Sequence, residues 1–337
     1  MLQGGSTGRR YARNTNVHAG VFSSGWELPG MDHSERIFVA GHRGLVGSAL
    51  TRKLKSEGFR NLVLRTHDEL DLSRQSAVER FFAEERPAYV LFAAGRVGGI
   101  LANDTFRADF IRDNLLIQTN VIDAAFRNGV KKFLFLGSSC IYPKHAAQPI
   151  KEEYLLSSAL EPTNQPYALA KIAGLEMIDA YRRQHGFCGV SLMPTNLYGP
   201  HDNFDPRRSH VLPAMIRRFH EAKQSGAPEV VIWGTGTPRR EFMHVDDLAD
   251  ACLFVMREYD DPRILNAGVG EDVTIRDLAE LVKDVVGFSG ALRFDTTKPD
   301  GTPRKLLDVS RLHALGWRAK IPLRRGIAET YAWFAGL

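Results

Sequence analysis

Ile37-Phe38-Val39-Ala40-Gly41-His42-Arg43-Gly44-Leu45-Val46-Gly47 decides how this chain folds. Four apolar residues in an unbroken run read as a parallel strand buried on both faces. Glycine at 41, 44 and 47 permits a tight turn and lets the backbone approach a diphosphate. The residues after the turn open a helix, whose first N–H groups lack internal partners and favour an anion. Glycine alone is common in turns; a strand before it and a helix after it give the motif its weight. Gly41, His42, Arg43, Gly44, Leu45, Val46 and Gly47 are therefore candidate cofactor-binding residues.

Working outward, similar apolar runs recur at Leu62-Val63-Leu64, Tyr89-Val90-Leu91-Phe92-Ala93 and Phe133-Leu134-Phe135-Leu136. Segments of helical character lie between them, near 45–57, 73–85 and 105–128. Strand and helix in alternation predict an α/β fold, a Rossmann-type doubly wound parallel sheet with right-handed crossovers. A helix from Asn164 to His185 and a strand at Gly189-Val190-Ser191-Leu192-Met193 extend it. Beyond Pro194 the pattern breaks at Pro200, Pro206 and Pro213. Short strands at 230–233 and 242–245 then alternate with helices near 208–224, 246–258 and 274–286, which predicts a smaller C-terminal α/β substrate lobe. The expected division is a cofactor domain over 35–195, with later segments returning to it, and a mainly substrate-binding lobe over 196–337.

Residues 1–34 are polar and aperiodic, without the apolar stretch of a secretory signal, and read as a disordered extension. The whole chain of 337 residues is 44% apolar and 25% charged, ordinary globular usage. No apolar run approaches the ~20 residues a bilayer crossing needs. A net charge of +5 spread along the chain suits an anionic small ligand better than nucleic acid. Cys140, Cys188 and Cys252 are odd in number and far apart, with no metal-ligand spacing, so we expect no metal and a reducing, cytoplasmic setting.

An acidic residue ~20 positions after the glycine turn usually holds the ribose 2′-hydroxyl of NAD. Here the second strand ends in Arg65-Thr66-His67. Arg65, joined by Arg43, would attract a 2′-phosphate, so NADP(H) is the expected cofactor. Tyr167 and Lys171 stand on one face of the long helix. An ammonium beside a phenol favours the phenolate and brings a proton donor toward working pH. Ser138, just past the fourth strand, adds a hydroxyl able to steady a developing alkoxide.

With these residues in place, the sequence resembles the extended short-chain dehydrogenases/reductases. The likeness runs from Ile37 onward, through Ser138-Ser139-Cys140-Ile141-Tyr142-Pro143, Tyr167-x-x-x-Lys171, Pro194–Pro200 and Lys298–Lys305. It implies catalytic roles for Ser138, Tyr167 and Lys171, and an epimerising pair in Cys140 and His210. It further implies cofactor contacts at Asp71, Leu72, Ala94, Lys171, Pro194, Asn196, Leu197 and His210. Arg218, Trp233, Arg240 and Asp300 would hold a GDP-sugar, although Arg217 and Arg239 beside them read equally well as surface charges. The implied activity is epimerisation of GDP-4-dehydro-6-deoxy-D-mannose at C3 and C5, then reduction at C4 by NADPH. A homodimer through a helix bundle is implied as well, with neither membrane nor nucleic acid as partner. A nucleotide-sugar 4-epimerase, a 4,6-dehydratase and a non-catalytic NADP(H) sensor stay open as other readings.

Overall fold

The computed structural model describes residues 30–206, 209–298 and 300–336. In chain order the first half runs β1 (Ile37–Ala40), α1 (Leu45–Ser56), β2 (Leu62–Val63), α2 (Gln75–Glu85), β3 (Tyr89–Phe92), α3 (Ile100–Thr105), α4 (Arg107–Arg127), β4 (Lys132–Leu136), α5 (Gln165–His185) and β5 (Gly189–Pro194). The second half runs β6 (Asn196–Tyr198), α6 (Val211–Ser225), β7 (Glu229–Trp233), β8 (Arg239–Arg240), β9 (Phe242–His244), α7 (Val245–Glu258) and β10 (Leu265–Ala267). It ends with β11 (Val273–Thr274), α8 (Ile275–Val286), β12 (Ala291–Asp295), β13 (Arg304–Lys305), α9 (Ser310–Ala314) and α10 (Leu323–Ala335).

Six parallel strands form the central sheet in the order β10-β5-β4-β3-β1-β2. Every side chain of β1, β3 and β4 is buried, which is why their sequences do not alternate. One apolar layer joins the sheet to α1 and α7, and the other joins it to α2, α4 and α5. A third cluster, built from α6, α8, α10 and β7, is the core of the smaller lobe. Strand order reverses between β1 and β3, and at such a switch point a crevice opens above the strand ends.

The two halves of the sequence are not two halves of the structure. β10 pairs with β5, and α7 packs against α1, so both belong to the cofactor domain. The fold also starts earlier than residue 35. Met31 is buried in the first core layer and His33 stacks on Phe59 with ring centroids 4.1 Å apart. Of the expected extension, residues 1–29 lie outside the described residues. The single helix expected near 105–128 is preceded by a separate short one, α3. Among the described residues no helix is long and apolar enough to cross a membrane.

α5 lies tightly on the sheet. A Cβ at Gly174 would sit 2.5 Å from the Phe135 ring and 2.9 Å from Gln118 Oε1. Ala168 and Ala170 are fully buried here too, so these small residues serve sheet packing. Gly174→Val should therefore destabilise the protein by about 1–3 kcal/mol through overpacking, read as a lower urea midpoint.

Candidate active site

At the switch point the chain turns so sharply that only glycine fits. Gly41 has φ +81°, and a Cβ on Gly47 would lie 2.1 Å from the Gly41 carbonyl oxygen. The Gly44 N–H donates to that oxygen at 3.0 Å, and the Ser48 N–H donates to the Gly44 carbonyl at 2.9 Å. Gly44 caps α1 without a side chain, so no side-chain cap satisfies the first N–H groups of the helix. Backbone donors and helix dipole together make an anion seat. Ala94 lines it, following Ala93, whose N–H donates to Ala40 at 3.1 Å.

The end of the second strand differs from expectation. The Arg65 guanidinium is tied to the Glu85 carboxylate, lies over the Phe81 ring, and donates to the Leu64 carbonyl at 3.0 Å. Arg43 is exposed and forms no ion pair among the described residues. Crowding and the Arg43 charge lower the pKa of His42 between them. Further along the rim, Asp71 accepts from the Ser73 N–H at 2.9 Å, and the Leu72 carbonyl accepts from Asn120 at 3.0 Å.

Ser138 lies just past the fourth strand and caps a single 3-10 turn, its Oγ accepting from the Cys140 N–H at 3.1 Å. Tyr167 is buried beside this turn, its ring packed against Cys140. Lys171 is buried one turn along α5, where its Nζ donates to the Leu136 carbonyl at 2.8 Å and lies 5.0 Å from the Phe135 ring centroid. Burial lowers its pKa to about 8. The phenolate-favouring effect expected of Lys171 does not govern Tyr167 here. Burial pushes the phenol's pKa upward, the neighbouring Cys140 adds to this, and only the Ser138 hydroxyl opposes it. The ammonium is directed at the Leu136 carbonyl instead.

Cys140 packs against Ala102, Phe110 and Tyr167. Lys305 reaches in from β13, its Nζ donating to Cys140 Sγ at 3.5 Å. His210 stands at the head of α6, reachable by solvent yet closely flanked; crowding first and Lys305 second disfavour its imidazolium. Asn196 and Leu197 lie on β6, which runs parallel to β9 directly after Pro194, and Asn196 Nδ2 donates to the Glu241 carbonyl at 2.7 Å.

In the smaller lobe Trp233 is 65% exposed at the end of β7, with Lys298 Nζ 5.7 Å from its ring. Asp300 accepts from the Thr235 N–H at 2.9 Å and its hydroxyl at 2.7 Å, holding the turn after Trp233. Arg218 donates to the Val231 carbonyl at 2.8 Å, and Arg240 to the Arg239 carbonyl at 2.8 Å. Arg217 and Arg239 are taken by Glu221 and Asp272.

Three side chains that shape the site escaped sequence reasoning. Asn114, buried on α4, accepts from the Arg96 N–H and donates to its carbonyl, both at 3.0 Å, fixing the wall beside Lys171. Lys305 sits inside a recognised block without a signal of its own. Glu241, fully buried, bonds backbone N–H groups of Val269, Gly270 and Leu307. Burial of a carboxylate can be guessed only when its partners are known.

An anion seat at the switch point of a parallel sheet, with serine, tyrosine and lysine above the strand ends, defines a class: enzymes that act on a carbonyl beside a bound dinucleotide. Residues 37–268 match the model of the NAD dependent epimerase/dehydratase family, and the chain belongs to that family. GDP-L-fucose synthase 1 of Arabidopsis thaliana is 64% identical over 303 residues, 90% of this chain and 94% of its own length. GDP-L-fucose synthase of Escherichia coli strain K12 is 57% identical, over 89% of this chain and 96% of its own. A crystal structure of a GDP-L-fucose synthetase from Naegleria fowleri bound to NADP superposes with TM-score 0.85 at 29% identity, covering 91% and 96% of the two chains.

Burying the Lys171 ammonium costs stability. Its pKa of about 8 lies below the ordinary 10.5, so between those values the unfolded chain holds the proton more tightly. Stability relative to a Lys171→Met variant should therefore rise as pH climbs from 8 toward 10.5, measured by urea denaturation across that range.

Proposed function

We propose that this protein converts GDP-4-dehydro-6-deoxy-D-mannose to GDP-L-fucose, epimerising C3 and C5 and then reducing the C4 ketone with NADPH. The observation that carries this reading is the contact of Cys140 with Tyr167 at the turn of Ser138, whose hydroxyl accepts from the Cys140 N–H. That contact sets a proton donor for a ketone oxygen next to a base for the adjacent carbons. High identity to GDP-L-fucose synthases over nine-tenths of the chain supports it.

The C4 ketone acidifies the protons on C3 and C5. Cys140 as thiolate takes one of them; the C–H bond breaks and its electron pair passes to the ketone oxygen as an enolate. His210 as imidazolium gives a proton to the opposite face, a new C–H bond forms and the pair returns to the carbonyl. No electrons are gained or lost, and exchange with solvent resets both groups. The glycine turn and Lys171 would hold NADPH, whose chemistry when bound would be hydride donation to C4. Tyr167 then donates its proton to the oxygen, with Ser138 bonded to that oxygen as charge develops. Burial keeps Tyr167 protonated, which suits a donor. Lys171 adds positive charge to a dry site and would help to hold the cofactor.

The glycine turn at the head of α1 suits a diphosphate, and a Cβ on Gly47 would break that turn by colliding with the Gly41 carbonyl. Arg43, without a carboxylate partner, is the stronger candidate for the 2′-phosphate, because Glu85 already neutralises Arg65. Arg218, Arg240, Trp233 and Asp300 line the GDP-sugar side, with Asp300 acting through the turn it holds. A homodimer through α4 and α5 is supported by exposed Leu116, Leu169 and Ala173 on those helices.

Incubation with the ketosugar and NADPH in deuterated water should place label at C3 and C5 of a GDP-L-fucose product, and unlabelled product would refute the reading. Tyr167→Phe should lower ketone reduction by about 100-fold or more, while wash-in of deuterium persists. Arg43→Ala should raise KM for NADPH about tenfold and leave KM for NADH little changed, with Arg65→Ala weaker in the same steady-state assay.

A further inference from the structure

The base and the acid of the epimerisation are opposite in charge and come from different lobes, so a third group is needed to set their protonation. β13 supplies one. Lys305 Nζ is 3.5 Å from Cys140 Sγ, and its charge reaches His210 as well. Its strand is held by pairing with β8, where Lys305 stands opposite Arg240. Flanking residues are anchored: Arg304 to Asp272 at 2.5 Å, and Leu307 through its N–H to Glu241 at 3.1 Å. Lys305 makes no ion pair with a carboxylate among the described residues, so its charge is not cancelled nearby.

We propose that Lys305 is the positioning cation of the epimerisation, holding Cys140 as the thiolate base and making protonated His210 a readier donor. The inference rests on the epimerase reading above. The charged and titratable groups facing Cys140 are Tyr167 from α5 and Lys305 from β13, with His210 at the head of α6 beyond the ammonium. Tyr167 is neutral, so Lys305 is the cation in contact with the sulfur. An ammonium at that distance stabilises the thiolate. It also repels an imidazolium, in line with the lowered pKa of His210. Lys305 exchanges no proton itself and acts through the other two.

Alkylation of Cys140 by iodoacetamide, followed on its peptide by mass spectrometry in the full-length enzyme, reads the first effect without any substrate. Lys305→Met should slow it about tenfold at neutral pH, and Lys305→Arg should stay within about threefold of the parent. Deuterium wash-in at C3 and C5 against pH reads the second. There the limb in which activity falls as pH rises should move to higher pH in Lys305→Met, because His210 loses a repelling neighbour. Hydride transfer to an already epimerised ketosugar should change less than about threefold. Parent-like alkylation in Lys305→Met, or an arginine variant as impaired as the methionine one, overturns the proposal. Wash-in absent from the parent itself would instead overturn the epimerase reading, while the alkylation arm would still judge the contact.

Discussion

Glu241 is a carboxylate with no access to water, held by three backbone N–H groups that come from two distant parts of the chain. Val269 and Gly270 donate to it from the loop after β10, at 2.7 and 2.8 Å, and Leu307 donates from beyond β13 at 3.1 Å. Its own carbonyl accepts from Asn196 at 2.7 Å. A buried charge left without such donors costs several kcal/mol, so the donors and the carboxylate fix one another. The strand end after Pro194, the closing loop of the sheet and the segment carrying Lys305 all meet at this one side chain. Cofactor domain and substrate lobe are thereby locked in one geometry, and the cleft between them inherits it.

Within that cleft, packing and chemistry pull in opposite directions. Lys171 lies against two phenylalanine rings and one carbonyl, an environment that disfavours its charge. Tyr167 is sealed beneath Phe110 and Cys140. In the proposed reaction, the same dryness that penalises these groups would strengthen their interactions with the ketone. The site is thus a place where folding free energy has been given up for reactivity, supported by the tight seat of α5 on the sheet at Gly174.

Much of this was legible from residue order. β1, its glycine turn and α1 show themselves because parallel strands need continuous apolar runs and phosphate turns need glycine. Tyr167 and Lys171 were found through helical spacing. β10 was not found: it is three residues long and its centre is Asn266, a polar side chain made tolerable by bonds to Tyr142, Ile150 and Asp308. Arg65 looked like a free cation because Glu85 is far away in sequence. The effect of Lys171 on Tyr167 was misjudged, since spacing shows which side chains share a face but not what each one bonds. Lys305 and Glu241 belong to the same class, with roles set by partners that only the tertiary fold brings near.

The uncapped head of α1 has a consequence for supply. Its donors respond to the diphosphate bridge, which is identical in the spent and the fresh form of a nicotinamide dinucleotide. Both forms therefore compete for the same berth on nearly equal terms, and preference between them must arise at the far end of the molecule.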